Sequence, residues 1–271
     1  MARPPEPTHL DEELRVASEL ARRAGEAVLR HGRSGVERRT KAGDELVTAA
    51  DVEVDAILRA GLAGAFPDDA VLSEEATDSR RRLTTRRVWI LDPIDGTENF
   101  AAGGDQHAIS VALTVDGRPV LGVVLNPARG ELFAGVVGRG LRLGDAPARA
   151  SAASAPATAR LTVSGTEWDA GVYREVRTLS LRPLSSSAYK LARVAAGLDD
   201  GTLWVWPRRE WDVCAGVALV LAAGGHATLL DGSEIPFNRP DPRLGGGLVA
   251  AGASLHAPLR SELVRLGLAQ R

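Results

Sequence analysis

The stretch Trp89-Ile90-Leu91-Asp92-Pro93-Ile94-Asp95-Gly96-Thr97 joins an apolar run to two acids three residues apart, then to Gly and Thr. The apolar run reads as a buried strand, and carboxylates at the mouth of such a strand are costly unless something positive sits between them. Aspartate oxygens and backbone carbonyls are the natural ligands of hard divalent cations. A second acidic pair, Glu74-Glu75, follows the apolar Val71-Leu72, and Asp212 opens an apolar helix after Trp211. Three acidic islands, each at the edge of an apolar element, suggest one multi-metal pocket. Pro93 restricts the backbone, so the Ile94 carbonyl can face the same way as both carboxylates. Gly96 and Thr97 then offer backbone N–H groups at a helix start, where a phosphate oxygen is favourably held.

Plainer readings compete at each position. Asp-Pro and Asp-Gly are common turn formers, so Asp92 and Asp95 also fit a strand end. An EF-hand does not fit, because Asp95-Gly96 in its fifth and sixth places would put Leu91 first, where an acid is needed. Glu74 and Glu75 point opposite ways in an extended segment, and with Asp78 and Arg80-Arg82 they also read as a solvated loop. Asp51 stands at capping-box spacing from Thr48, and Asp212 is placed to cap its own helix. Arg208 and Arg209 suit a second phosphate, though surface arginines are ordinarily just solvated. Walker A, H-E-x-x-H and G-x-S-x-G patterns are absent, the histidines lack metal spacing, and Cys214 reads as a small core residue.

The elements that must position these residues follow from periodicity. Thr8-His9-Leu10-Asp11 reads as a capping box for a helix through Leu14, Ala17, Ala21, Ala24 and Val28, closed by His31-Gly32. A second helix begins near Thr48 and stops before Pro67. Strands are expected at 70–73, 87–92, 108–115, 120–125, 131–137 and 141–143, with a hairpin at Asp116-Gly117-Arg118-Pro119. An Ala/Ser/Pro-rich stretch from Gly144 to Arg160 divides this α+β half (residues 1–145) from an α/β half (158–271). There, strands at 161–164, 202–206, 227–230 and 247–251 alternate with helices at 170–179, 186–196, 212–223 and 258–268.

With 271 residues, 44% of them hydrophobic and a net charge of −2, the chain has the makings of a sizeable core and no polyanion footprint. Bulk nucleic acid is therefore not an expected partner. One cysteine excludes an intramolecular disulfide framework, and neither a signal core nor a run long enough to span a bilayer is present, so a soluble cytoplasmic protein is expected.

Taken together, these segments resemble the inositol monophosphatase superfamily of magnesium-dependent, lithium-sensitive phosphatases. Asp92-Pro93-Ile94-Asp95-Gly96-Thr97 matches its D-P-[IL]-D-G-T signature, and Trp211-Asp212-Val213-Cys214-Ala215-Gly216 its W-D-x-x-A-G signature, with Cys214 where Ala is common. Lys41, Asp44, Val47-Thr48 and Asp51 resemble K-x-x-D-x-x-V-T-x-x-D, and Ser73-Glu74-Glu75 resembles G-E-E with Ser73 replacing Gly. The resemblance implies an α+β fold, a layered α/β/α/β/α sandwich of the sugar-phosphatase type, and a homodimer. It also implies that Glu74, Asp92 and the Ile94 carbonyl hold one Mg²⁺, that Asp92, Asp95 and Asp212 hold a second, and that a third leans on Glu74. Thr97, oriented by Asp51 and with Glu75 in support, would position the attacking water, and phosphate would sit against the ions and the Gly96 and Thr97 amides. The substrate would be a small phosphorylated metabolite. Thr97-Glu98-Asn99-Phe100 and Asn126-Pro127 look like the inositol branch. Against that, Val205 stands where inositol enzymes commonly carry a glutamate. Glu210-Trp211-Asp212, Ser73-Glu74-Glu75 and Phe237-Asn238-Arg239-Pro240-Asp241-Pro242 look closer to the 3'(2'),5'-bisphosphate nucleotidases. The expected substrate is thus 3'-phosphoadenosine 5'-phosphate, with inositol 1-phosphate the alternative and a non-catalytic metal- or nucleotide-binding regulator a third reading.

Overall fold

The computed structural model describes residues 10–34, 38–40 and 46–268; Thr8, His9, Lys41 and Asp44 lie outside them. Helices α1 (Asp11–Ser34) and α2 (Ala49–Ala65) frame a small antiparallel ribbon, β1 (Arg38–Thr40) and β2 (Leu46–Thr48). A seven-stranded sheet follows in chain order: β3 (Ala70–Ser73), β4 (Arg87–Asp95), β5 (Ala108–Val115), β6 (Arg118–Asn126), β7 (Glu131–Val136), β8 (Gly140–Leu143) and β9 (Ala146–Ala148). Only β3 and β4 run parallel; the rest is an antiparallel meander, turned at Asp116-Gly117 as the dipeptide predicts. Short α3 (Thr97–Ala101) leaves the end of β4.

Beyond residue 158, β10 (Arg160–Ser164), α4 (Gly165–Asp169), β11 (Ser180–Leu184), α5 (Ser187–Ala195), β12 (Gly201–Trp204), β13 (Arg208–Arg209), α6 (Glu210–Ala222), β14 (Gly225–Leu229), β15 (Arg243–Leu244), β16 (Leu248–Gly252) and α7 (Ala253–Arg265) complete the chain. Five of these strands form a mixed sheet in the order β11-β10-β12-β16-β14. Three cores define the layers. Ala17, Ala24, Leu58 and Leu62 of α1 and α2 meet Trp89, Leu91, Val111 and Val123 on one face of the large sheet. On its other face Ile90, Ala112 and Val124 pack with Leu191, Val194, Ala215 and Leu219 of α5 and α6, which also cover Trp204 and Ala250 of the smaller sheet. Leu255, Leu259 and Leu263 of α7 close the far side against Val163, Leu203 and Val249. Helix, sheet, helix, sheet and helix stack as five layers, the expected α+β architecture.

Some elements differ from the periodicity. The helix expected at 170–179 is absent: α4 ends at Asp169, the chain turns at Gly171 (φ 77°), and Tyr173 is drawn inward to give its hydroxyl proton to buried Glu167. The unexpected strand β11 occupies a sheet edge, where Pro183 costs no ladder bond. Helix α7 begins five residues before Pro258, and α1 continues past His31-Gly32 to Ser34. Arg82 does not face water: it is 1% exposed, paired with Asp78 at 2.8 Å and bonded to Asn238 Oδ1 and the Arg239 carbonyl.

Candidate active site

In a regular strand, residues three apart face opposite sides. Asp92 and Asp95 escape that rule because β4 is irregular between them: Asp92 pairs with Ser110 and Asp95 with Ala108, so three steps on β4 oppose two on β5. Pro93 and Ile94 take up the extra residue, and both carboxylates line one cleft of about 230 Å³. The chain then reverses at Gly96 (φ 93°), where an added Cβ would lie 2.9 Å from the Gln106 carbonyl oxygen. Helix α3 has only five residues, so the Gly96 and Thr97 amides carry little macrodipole behind them.

Asp51 fills both roles its sequence position allowed. Its Oδ2 accepts the backbone N–H of Thr48 at 2.8 Å and the Thr48 hydroxyl at 2.6 Å, closing the capping box of α2. Its Oδ1 lies 3.3 Å from Thr97 Oγ1, which is also 2.9 Å from the Ile94 carbonyl oxygen. Burial raises the proton affinity of Asp51, opposed by the Thr48 and Thr97 hydrogen bonds. Ser73, standing where Gly was expected, donates at 2.6 Å to Asp55 of α2 and so ties the end of β3, next to Glu74, to that helix.

Two helix starts supply the opposite wall. At α5, Ser186 Oγ and the Ala188 amide (2.6 Å) donate to Asp95 Oδ2. Beneath them Lys190, fully buried, donates to the carbonyls of Leu184 (2.8 Å) and Ser185 (3.3 Å), fixing the loop that carries Ser185 and Ser187 into the cleft. Burial lowers the Lys190 ammonium to about 7, against the pull of Asp95. At α6, Asp212 caps the helix by accepting the Arg209 amide at 2.9 Å and also lines the cleft. The signature Gly216 lets α6 pass close to α5, since a Cβ there would lie 2.3 Å from Leu191 Cβ.

The cleft therefore gathers Glu74, Asp92, Ile94, Asp95, Gly96, Thr97, Arg208 and Asp212. Asp92 is 1% exposed, and its Oδ1 has no hydrogen-bond donor. Burial first, then the charges of Glu74, Asp95, Asp212 and Asp51, push its carboxyl well above the usual range. Asp212 is pushed up to about 7 by burial and by Asp95. Among the described residues no three acidic, imidazole or thiol groups are already closed into a metal cage. The donor set still fits a hard cation, because a buried carboxylate oxygen without a donor, amid further acids, lacks only positive charge.

Glu75 and Arg209 are not on the cleft wall. The Arg209 guanidinium stacks 5.7 Å from the Trp211 ring centre. Arg208 does reach it, held by Ser164 Oγ at 2.9 Å and Ser187 Oγ at 3.3 Å. Glu210 is structural: its carboxylate accepts the Asn238 (2.6 Å) and Arg239 (2.8 Å) amides, which joins two segments noticed separately in the sequence. Cys214 is a buried core thiol whose pKa burial raises. Sequence reasoning missed Ser164, Thr166, Ser185, Ser187 and Trp206 on the wall, and Lys190 and Glu167 behind it. The signal for them was a serine run before α5 and a lysine, Lys190, among the apolar residues of that helix.

The model of the inositol monophosphatase family matches residues 9–267. The chain belongs to that family. A 3'-phosphoadenosine 5'-phosphate phosphatase of Mycobacterium bovis is 38% identical over 204 residues, covering 72% of this chain and 74% of that protein. Inositol monophosphatase 2 of Solanum lycopersicum is 34% identical over 241 residues, covering 83% of this chain and 90% of that protein. The Thermotoga maritima IMPase structure superposes with a TM-score of 0.83 at 26% identity, covering 94% of this chain and 98% of that one. The family is one of metal-dependent phosphatases, and this chain is a phosphoric monoester hydrolase. Among the described residues no helix is long and apolar enough to cross a membrane.

Proposed function

We propose that this phosphatase hydrolyses 3'-phosphoadenosine 5'-phosphate with Mg²⁺, by in-line attack of water on phosphorus. The observation that carries the metal reading is Asp92, buried, with one oxygen lacking a donor and three further acids on the same cleft. Glu74, Asp92, the Ile94 carbonyl, Asp95 and Asp212 would hold two ions, with Glu74 sharing in a third. Bound there, Mg²⁺ would offset the charge of the phosphate dianion, acidify water and stabilise the leaving oxygen.

The chain's own groups prepare the rest. Ser186 and Ala188 fix one oxygen of Asp95, and the Arg209 amide fixes one of Asp212, which leaves the other oxygen of each for the ions. Thr97, giving its proton to Asp51, presents lone pairs that orient the attacking water, and Glu75 supports that arrangement. Buried Asp51 has the raised proton affinity needed to receive, through Thr97, the proton that water sheds. The Gly96 and Thr97 amides face the phosphate, while Arg208 meets a second phosphate; Arg209 supplies only long-range charge.

The nucleotide reading is supported by relatives at 38% and 36% identity that are 3'-phosphoadenosine 5'-phosphate phosphatases. Val205 also supports it, being buried in the core with no carboxylate for sugar hydroxyls. Inositol 1-phosphate is the second reading, favoured by the tomato relative. We infer further that the cleft separates subdomains 1–145 and 158–271, and that the enzyme is a lithium-sensitive, cytoplasmic homodimer; light scattering tests the dimer. The deciding experiment measures phosphate release from both substrates with Mg²⁺ and with chelator. Faster release from the nucleotide, lost in chelator, is expected. Faster release from the inositol ester overturns the substrate, and release unaffected by chelator overturns the metal.

A further inference from the structure

Among the described residues lining the acidic cleft, Trp206 alone is aromatic, and it is 39% exposed. A single exposed indole is ordinary on a protein surface. What distinguishes this one is how firmly its backbone is held. Glu167, fully buried, accepts the Trp206 amide at 2.7 Å and the Val205 amide at 3.1 Å, and Tyr173 donates its hydroxyl to the same carboxylate. Pro207 has a fixed φ and restricts the backbone of Trp206 before it. Arg208 follows, 3.8 Å from Glu167, bonded to Ser164 Oγ, its guanidinium 5.8 Å from the Trp204 ring centre. A buried carboxylate accepting this many donors fixes the backbone at Val205 and Trp206, so little backbone entropy is lost when a ligand covers the indole.

The neighbours of the indole state what that ligand is. Arg208, Ser164 and Thr166 share the cleft wall with it, one cation and two hydroxyls, and the cleft's four carboxylates, Glu74, Asp92, Asp95 and Asp212, are the ones assigned above to metal, which leaves none to grasp a polyol. Glu167 cannot serve, since its oxygens are taken by the amides of 205 and 206 and the Tyr173 hydroxyl. A flat π-face beside a fixed cation suits a ligand with an aromatic ring and a second anionic group. We propose that Trp206 is the stacking platform for the nucleobase of the substrate, selecting phosphate monoesters of nucleosides over those of plain sugars and polyols. This deepens the nucleotide reading above and rests on it. Glu167 acts as a positioning residue that holds the platform.

The test compares kcat/KM for 3'-phosphoadenosine 5'-phosphate with that for ribose 3,5-bisphosphate, which keeps both phosphates and lacks the base, and includes inositol 1-phosphate. In wild-type enzyme the nucleotide is preferred over the base-less ester. In Trp206→Ala that ratio falls about 5- to 150-fold, the loss expected when a base stacked on an aromatic ring loses its platform. Trp206→Phe retains most of the ratio, which a merely structural role would not predict. If the alanine variant slows both bisphosphates equally, or wild type treats them alike, the platform is overturned while the nucleotide remains the substrate. If only inositol 1-phosphate is hydrolysed, the substrate reading itself fails and takes the platform with it.

Discussion

Replacing Asp92 by Asn should make the metal-free protein more stable while abolishing its activity. Asp92 is 1% exposed, one of its oxygens meets no donor, and Glu74, Asp95, Asp212 and Asp51 all oppose its charge. Each unit by which the folded protein raises a carboxyl pKa corresponds to about 1.4 kcal/mol at a pH above both values. The folded state then binds its proton more tightly than the unfolded chain, so the wild type keeps its stability below the unfolded pKa and loses it as pH rises towards the folded value. An amide of the same shape neither ionises nor repels its neighbours. We expect Asp92→Asn to gain about 1–3 kcal/mol in chelator at pH 8, equivalent to a Tm rise of roughly 2–10 °C for a chain of this size. The gain should shrink towards pH 5. Saturating Mg²⁺ reverses the order, because a ligand at 100 times its Kd adds about 2.7 kcal/mol to the protein that binds it. Calorimetry with chelator and with Mg²⁺ at the two pH values reads all four states. A variant that melts below wild type in chelator at pH 8, or gains as much from Mg²⁺, would refute the view that Asp92 is held for a cation.

Thr97→Val removes the hydroxyl shared between Asp51 and the Ile94 carbonyl; kcat should fall about 10²-fold, with KM and melting temperature changing far less. Arg82→Met leaves Asp78 partly buried without its partner and strips donors from Asn238 and Arg239. Denaturant titration should record a loss of roughly 3–5 kcal/mol. Gly216→Ala forces a methyl against Leu191, and the repacking of α5 and α6 should cost about 1–3 kcal/mol by the same titration.

The two signatures were legible because each joins an acid to an element boundary: strand β4 before Asp92, helix α6 after Asp212. The capping box at Thr48 and Asp51 was legible for the same reason, a local spacing with a local hydrogen-bond consequence. What stayed hidden depends on partners distant in sequence. Arg82 looked solvated because Asn238 and Arg239, which bury it, are more than 150 positions away. The apolar spacing over 170–179 suggested a helix, yet burying Tyr173 against Glu167 required a turn. Ser186 and Lys190 carry no motif; their importance arises only when α5 is brought to the end of β4.

The irregularity at Pro93-Ile94 bears on how far the hexapeptide can travel. Its six letters do not encode a pair of converging acids, since on an evenly paired strand they would give diverging ones. Convergence is written jointly by β4 and by the partner strand that matches three residues with two. Transplanted into another sheet without Ala108–Ser110 opposite, the motif would scatter its carboxylates across two faces. The unit that evolution copies, or that an engineer must graft, is therefore a pair of strands with a fixed slippage between them.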